Sequence, residues 1–172
     1  MISASSKTLI RQINDCFHQL AGKPLYAPGA AAPRAAAPGA AAPGATDVHE
    51  WLHEEAPYGI LAHNTAADPH FIYANNHALT SFKYTPAEIL LVPSRLSASE
   101  QDRPERQRML EIVSRDGIVY NYSGPRVDKH GETFTIYDGV VWQLRHADGT
   151  LWGQAALFWT EEKARPEWFL PL

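Results

Sequence analysis

Residues 71–82, FIYANNHALTSF, decide the fold, because they change from strand to helix within two residues. The first three residues have strong strand propensity, whereas the apolar spacing after the two asparagines fits one or two helical turns. Asparagine side chains can hydrogen-bond the backbone where a strand passes into a helix. We therefore predict structural roles for Asn75 and Asn76. The next residue, His77, is a candidate whose exposure decides whether its role is structural or functional.

Local signals of the same kind place the other elements on either side of this corner. Residues 85–88, TPAE, are a helix start with a capping threonine and a proline in the first turn. Residues 102–105, DRPE, form a similar capped start for a longer helix that ends at Gly117. The order of elements predicts an α+β fold with helices on one face of a five-stranded antiparallel sheet. The predicted strands are residues 58–63, 70–75, 118–127, 132–146 and 150–160.

Residues 1–24 form a predicted unit of their own, an N-terminal amphipathic helix. Apolar side chains recur at helical spacing through residues 5–21, and a glycine and a proline follow them. This apolar stripe needs a second surface to cover it, either its own domain or a second copy of the chain, and the stripe alone leaves both open. The stripe consists of Leu9, Ile10, Ile13, Phe17 and Leu20.

Residues 25–46 are a low-complexity segment of alanine, proline and glycine, with proline at every fifth position from Pro28. Because proline at this frequency blocks a helix, we predict a disordered, partly extended linker. It joins the first helix to a folded domain at residues 47–163. The remaining residues, 164–172, end in an apolar tail that we expect to dock on the domain or on a second subunit.

The composition excludes several classes of protein. The chain has 172 residues, a formal charge of −4 and a pI of about 6.0, without the basic stripe of a nucleic-acid-binding protein. Its single cysteine, Cys16, permits neither a disulfide framework nor a cysteine metal cluster. No apolar run resembles a signal peptide or approaches the roughly 18 residues of a membrane span. We therefore predict a soluble, cytoplasmic protein with neither nucleic-acid nor membrane partners.

The corner at 71–82 also resembles a known pattern. A strand ending in YAN, a short helix through ALTSF and the segment KYTPAEIL are similar to PAS domains, the five-stranded sensor fold. Residues 93–158 resemble the MEKHLA domain, a PAS-related family of small bacterial proteins that also occurs at the C-terminus of plant homeodomain–leucine zipper regulators.

The resemblance covers residues 47–160, and the helix end HQLAGKPLY (18–26) is similar to the start of the bacterial members. It implies a PAS-like five-stranded antiparallel sheet with the alanine–proline linker as an insertion. It does not imply an activity, because folds of this kind host many ligands.

Two histidine pairs raise metal-site hypotheses. His49 and His53 form the string H-E-x-x-H, which on a helix places both imidazoles on one face for zinc. No third ligand stands at a recognisable spacing, so we predict no metal site. His63 and His70 flank a short loop and would face each other if the register of the two strands were direct. The usual exposure of histidine favours surface positions for both.

The PAS resemblance raises flavin and haem as cofactors, and the sequence leaves the cofactor open. Cysteine-adduct flavin photochemistry needs a thiol beside the flavin ring, and Cys16 lies outside the PAS-like part, so we do not expect it. A haem sensor needs an axial ligand, usually a histidine on the long central helix. Residues 99–116 contain none, which leaves His77 as a less favoured alternative ligand.

The predicted strand at 132–146 has the most informative pattern. Its alternate residues are apolar and share one face, and Asp138 has the same parity. A carboxylate on a core face is costly unless it is paired. Either the pair Asp138-Gly139 forms a bulge that turns the side chain outward, or Asp138 points into a cavity and meets a ligand or a buried donor. The apolar residues are Phe134, Ile136, Val140, Trp142 and Leu144.

The neighbouring strands add further candidates for a ligand site. Ile118, Tyr120 and Tyr122 share one predicted face, which suits either a core or a small-molecule pocket. On the last strand Gln154 stands among glycine and alanine residues, whose small size leaves room for a ligand or a helix. The predicted ligand-binding residues are Tyr120, Tyr122, Asp138, Trp142 and Gln154.

These patterns predict a sensor or protein-interaction module that holds a small apolar or aromatic ligand. We expect it to signal through a homodimer, formed by the N-terminal helix or the sheet, or through a protein partner of unknown identity. The alternative is a small enzyme in which an inward Asp138 is the general base of an isomerase-type proton transfer. No catalytic triad, phosphate loop or metal set supports that alternative, so no catalytic residue is assigned. An outward Asp138 would end it.

Overall fold

The computed structural model describes residues 2–26, 47–98 and 103–169. Most of the predicted linker, Asp102 of the second helix start and the last three residues of the tail lie outside this part. The helices are α1 (Ala4–Ala21), α2 (Val48–Glu54), α3 (Asn76–Phe82), α4 (Pro86–Ile89) and α5 (Arg103–Asp116), with short 3-10 turns at Ser94–Ser97 and Glu167–Phe169. The strands are β1 (Gly59–His63), β2 (Phe71–Ala74), β3 (Ile118–Val127), β4 (Thr133–Arg145) and β5 (Leu151–Trp159).

The five strands form one antiparallel sheet in the order β2-β1-β5-β4-β3. The first strand therefore pairs with the last, as in the register Leu61 to Ala156, and closes the sheet around a central β5. Helices α3 and α5 lie against one face, and the N-terminal helix α1 lies against the other. The predicted α+β, PAS-like fold is confirmed.

The corner at 71–82 depends on Asn75, whose side chain is fully buried. Its Oδ1 atom accepts hydrogen bonds from the backbone N–H groups of Ile60, at 2.9 Å, and Ala78, at 3.0 Å. Its Nδ2 atom donates to the carbonyl oxygens of Leu52, at 2.9 Å, and Tyr58, at 3.0 Å. One amide therefore joins β1, α2 and the start of α3, which confirms its predicted structural role. Asn76 is exposed as the first residue of α3.

The apolar stripe of α1 packs on the sheet of its own chain. Ile10, Ile13 and Phe17 are fully buried. The ring of Phe17 meets that of Trp142 edge-on, with 4.9 Å between centroids, and the Trp142 indole N–H donates to the Ile13 carbonyl at 3.3 Å. Phe169 of the predicted apolar tail packs against Phe17 and is also buried. Of the two surfaces that the sequence left open for the stripe, the structure shows the domain itself.

Two facing bulges exchange the faces of β3 and β4. The register of β4 on β5 gains one residue between Tyr137 and Val140, where Asp138 has a φ of 52°. The register of β3 on β4 shifts at the same level, where Asn121 has a φ of 59°. Asparagine and aspartate adopt this left-handed conformation more readily than most residues. The bulge interpretation of Asp138-Gly139 is therefore confirmed.

Because each bulge shifts the alternation by one residue, two face predictions are wrong. The alternate residues of β4 do not share one face: Phe134 and Ile136 belong to the side of α3, whereas Val140, Trp142 and Leu144 belong to the side of α1. The same correction applies to β3, where Ile118 and Tyr120 pack towards α1 and Tyr122 lies on the opposite face.

Gly139 is required beside its bulge, because a Cβ atom there would lie 2.9 Å from the carbonyl oxygen of Tyr122.

None of the helices in the described residues combines the length and the apolar character that a membrane span needs.

Candidate functional site

A cavity of about 50 Å³ lies between the sheet and the helices α3 and α5. Most of its wall is apolar. β1, β4 and β5 contribute the floor, and α5 closes the side with Met109 and Leu110. Helix α5 buries only Met109 and Val113 in the core, so this wall is held by few contacts. The apolar wall consists mainly of Leu61, Phe71, Phe82, Ile136, Val141 and Phe158.

One end of the cavity is polar and contains two arginines, Arg126 from β3 and Arg106 from α5. Arg126 is only 6% exposed. Its Nη1 atom donates to the Tyr122 hydroxyl at 2.9 Å and to the Pro125 carbonyl at 2.8 Å. Its guanidinium lies 4.9 Å from the centroid of the Tyr122 ring, so the tyrosine fixes its position by both a hydrogen bond and a cation–π contact.

Arg106 projects from the side of α5 that faces the sheet. Its burial and the nearby positive charge of Arg126 lower the pKa of Arg106 to about 10. The group therefore remains protonated at neutral pH. Two positive charges thus meet at the same end of a largely apolar cavity.

His63 and Gln154 form a second polar pair on the cavity wall. The Nδ1 atom of His63 lies 2.8 Å from the Asn64 carbonyl, and its Nε2 atom lies 3.4 Å from the amide nitrogen of Gln154. Because a carbonyl only accepts, Nδ1 carries the proton and Nε2 accepts from Gln154. Burial lowers the pKa of His63, and the charge of Arg106 lowers it further. The imidazole is therefore neutral at pH 7.

The model of the MEKHLA domain family matches residues 7–162. The chain belongs to the MEKHLA family. Three solved structures share its fold. A PAS domain of a protein from Colwellia psychrerythraea is 12% identical, with a TM-score of 0.58 over 68% of this chain and 99% of that one. An RNA-binding light-oxygen-voltage receptor is 19% identical, with a TM-score of 0.56 over 76% of this chain and 35% of that one.

The third structure, the blue-light photoreceptor Aureochrome1 LOV, is 16% identical, with a TM-score of 0.51 over 61% of this chain and 76% of that one. At these identities the likeness shows the fold alone. No curated protein sequence matches the chain.

The cavity does not fit the cysteine-adduct flavin photochemistry considered from the sequence. Cys16 lies on α1, on the opposite face of the sheet, where its thiol donates to the Arg145 carbonyl at 3.4 Å. The cavity of about 50 Å³ is also well below the roughly 300 Å³ at which pockets for drug-sized ligands begin. His77, the alternative haem ligand, is not among the side chains that line it.

The structure brings together only part of the predicted ligand site. Tyr122 and Gln154 line the cavity. Tyr122 lies at the arginine end, and Gln154 pairs with His63. Trp142 is buried beneath α1, and Tyr120 packs on the same side of the sheet, so neither reaches the cavity. Asp138 does not line it either. The side chain of Asp138 lies 3.8 Å from Arg165 and is 29% exposed.

The enzyme alternative required an inward carboxylate, and the bulge directs Asp138 away from the cavity. Its backbone N–H donates to the Ser123 hydroxyl at 3.1 Å, and its carboxylate faces Arg165 of the C-terminal segment. No carboxylate of the described residues lines the cavity. The geometry on which general-base catalysis by Asp138 depended is therefore missing.

The sequence interpretation missed three cavity residues, Arg106, Arg126 and His63. For Arg106 a signal was present, because Met109, Leu110 and Val113 follow it at spacings of three, four and seven residues and place it on the apolar face of α5. Arg126 shares parity with Tyr122 on β3. Whether the side chains of Tyr122 and Arg126 face the cavity depends on the bulge at Asn121.

The two histidine pairs do not form metal centres. His53 Nδ1 lies 2.7 Å from the Tyr73 hydroxyl, and His49 Nδ1 lies 3.3 Å from Asp47. Burial lowers the pKa of His53. The register pairs His63 with Phe71 rather than with His70. Nowhere in the described ranges do three or more histidine, cysteine, aspartate or glutamate side chains form a group that could hold a metal ion.

His77 lines a separate outer groove of about 470 Å³, together with the aromatic side chains Trp51, Trp159 and Trp168. It is half-buried, and burial lowers its pKa. Its Nδ1 atom and the Trp51 indole nitrogen are buried without a hydrogen-bond partner among the described residues. Both atoms are shielded from solvent, so a molecule in the groove would not reach them as the structure stands. The central cavity is the better candidate site.

Proposed function

We propose that this MEKHLA domain is a sensor module that binds a small organic ligand in its central cavity. The observation that carries the proposal is the construction of the cavity. Its floor is a sheet anchored on the opposite face by α1, and its wall is a helix that buries only Met109 and Val113. A ligand that adds contacts to α5 favours one position of this helix over the others, which is the thermodynamic requirement of a sensor.

Helix α5 also has a physical route to the opposite face of the sheet. At its C-terminal end the Ser114 carbonyl accepts from the Gln143 amide at 3.3 Å, and the Gly117 carbonyl accepts from the Gln143 backbone at 2.9 Å. The Gln143 side chain accepts from Arg145 at 3.1 Å, and the Arg145 carbonyl accepts from Cys16 of α1. This chain of contacts supports output through α1 or the sheet, towards a second copy or a protein partner.

The proposal is tested by an NMR screen of the isotope-labelled chain against a library of small organic acids, amines and neutral compounds. We expect at least one compound to shift the amide signals of the cavity wall and of α5. The variant Ala156→Leu adds a side chain to the cavity wall and should abolish these shifts, whereas Ala67→Leu, in an exposed loop, should preserve them. If no compound perturbs the cavity residues, the sensor proposal is wrong.

A further inference from the structure

The cavity arginines are the buried Arg126 and the half-buried Arg106, and neither has an acidic partner among the described residues. An arginine side chain has five N–H donors, and Arg126 uses two of them, on the Tyr122 hydroxyl and the Pro125 carbonyl. The donors on its Nε and Nη2 atoms make no hydrogen bond to the described residues, and neither atom is fully shielded from solvent. A buried charge normally has a counter-charge or a full set of hydrogen bonds, because its removal from water is costly. Arg126 therefore presents unused donors at the cavity.

Arg106 increases this excess of positive charge. No carboxylate of the described residues lies within ion-pair distance of Arg106 or Arg126. The groups that face Arg106 are Arg126 and Tyr122 from β3, Arg103 from its own helix and the neutral imidazole of His63 from β1. The positive charges of Arg106 and Arg126 repel each other, which is one cause of the lowered pKa of Arg106. An anion placed between the two guanidinium groups would remove the repulsion and accept their free N–H donors.

The rest of the cavity specifies an organic anion. Phe71, Phe82, Met109 and Phe158 offer only apolar surface, which an inorganic phosphate or sulfate would not use. A water molecule needs about 10–15 Å³ of such space, so the cavity of about 50 Å³ holds roughly four non-hydrogen atoms without expansion. A short aliphatic acid of about four to six non-hydrogen atoms reaches or exceeds this limit, so α5 must move outward to admit the longer members.

We infer that the ligand of the central cavity is a small monocarboxylate, whose carboxylate binds Arg126 and Arg106 and whose apolar part packs on the phenylalanines and Met109. This inference rests on the proposed sensor function and names the chemical class of its ligand. Arginine is suited to the role because its planar fork binds a carboxylate in a bidentate manner.

The test is calorimetric and NMR titration of the full chain with sodium butyrate and, as neutral and cationic matches of similar length, butyramide and butylamine. We expect butyrate to bind with a Kd of about 0.1–1 mM, a range set by its small number of atoms. Butyramide and butylamine should bind at least about tenfold more weakly, since each lacks the charge that the arginines require.

Variants locate the carboxylate. Arg126→Met should weaken butyrate at least about tenfold, and Arg126→Lys should weaken it less, because lysine retains the charge but not the fork. Arg108→Met changes an exposed arginine of α5 and should leave the Kd within about twofold. Unchanged amide spectra outside the cavity will show that the variants are folded. An Arg126→Met variant that is folded and binds butyrate normally would overturn the inference.

Two further results would overturn this inference but leave the sensor proposal standing. Binding of neutral or cationic compounds alone would leave a sensor with a different ligand class. Competition by inorganic phosphate as strong as by butyrate would show an anion site without apolar recognition. If no compound of any class binds, both proposals are wrong.

Discussion

The two faces of the sheet differ in what they bury. The face beneath α1 is closed by aromatic packing, in which Phe17, Trp142, Trp159 and Phe169 are at most 2% exposed and the ring pairs lie 4.9–5.8 Å apart. The face beneath α5 contains a cavity, the buried Arg126 and the half-buried Arg106, with no counter-charge among the described residues. The α1 face therefore supplies stability, whereas the α5 face tolerates costly charged groups that suit a ligand.

Loss of the Asn75 side chain should have the largest effect, because this residue joins the layers on both faces. Asn75→Ala leaves four buried backbone groups without their partner, at about 1–3 kcal/mol for each group before relaxation. We expect a loss of at least about 4 kcal/mol in the free energy of unfolding, measured with urea. Asn76→Ala is the matched control and should change it by less than about 0.5 kcal/mol. Similar values for the two variants would contradict the role of Asn75.

Truncation of Phe17 should damage only the α1 face. Phe17→Ala removes a fully buried ring and should lower the unfolding free energy by about 3–5 kcal/mol. Leu20→Ala, where the side chain is 42% exposed, should lower it by about 1 kcal/mol or less. The butyrate affinity of the folded Phe17→Ala protein should stay within about twofold of the wild-type value. A tenfold loss of affinity would show that the two faces do not divide their roles.

Replacement of a cavity arginine should raise the stability of the ligand-free protein rather than lower it. Arg106→Met removes a half-buried charge that has no counter-charge among the described residues and retains the apolar stem, so the ligand-free protein should gain about 1 kcal/mol of stability. For a chain of this length the gain corresponds to a rise in Tm of about 2–4 °C. Arg108→Met should leave Tm unchanged. A marked fall in Tm for Arg106→Met would mean that Arg106 stabilises the ligand-free fold.

Much of this architecture could be predicted from sequence, because its signals are local. The corner at Asn75, the capped start at Thr85 and the hairpin turns all follow from side chains that act within a few residues. The exchange of faces at Asn121 and Asp138 could not be predicted in the same way. A bulge is decided by the facing strand, and a shift of one residue reverses every side chain beyond it.

The candidate site could be predicted less well than the fold for the same reason. By parity the sequence places Trp142 and Asp138 on one face, but at the bulge the faces change, so Trp142 packs against α1 and the Asp138 side chain lies near Arg165. Tyr122 and Gln154 do line the cavity. Arg106 and Arg126 come together only when α5 packs on β3. A sequence pattern within either element does not predict that contact.

A smaller effect concerns the pH dependence of the α5 face, where Asp128 binds the end of α3. Its carboxylate lies 3.0 Å from the Lys83 ammonium and accepts from the backbone N–H groups of His130 and Glu132. Burial alone would raise the pKa of Asp128, but these donors outweigh it and lower the pKa below 3.8. Asp128 therefore stabilises the fold above about pH 4, and this contribution disappears as the pH falls through the lowered pKa.

The measurement for this effect is urea unfolding of wild type and Asp128→Asn between pH 2 and pH 7. The stability difference should be largest at neutral pH and should shrink below about pH 4. Asp68→Asn, whose exposed carboxylate pairs with Arg95 on the surface, is the control and should show little difference at any pH. A difference between wild type and Asp128→Asn that is constant with pH would contradict the assigned ion pair.

Native-state hydrogen exchange tests the division of the two faces most directly. In the ligand-free chain the amides of α5 between Met109 and Val113 should exchange with less protection than those of α1 between Ile13 and Phe17, because α5 has fewer buried contacts. Saturating butyrate should slow amide exchange in α5 more than in α1, so the difference in protection between the two helices should become smaller. Equal protection of the two helices before butyrate, or a gap that butyrate leaves unchanged, would contradict the account.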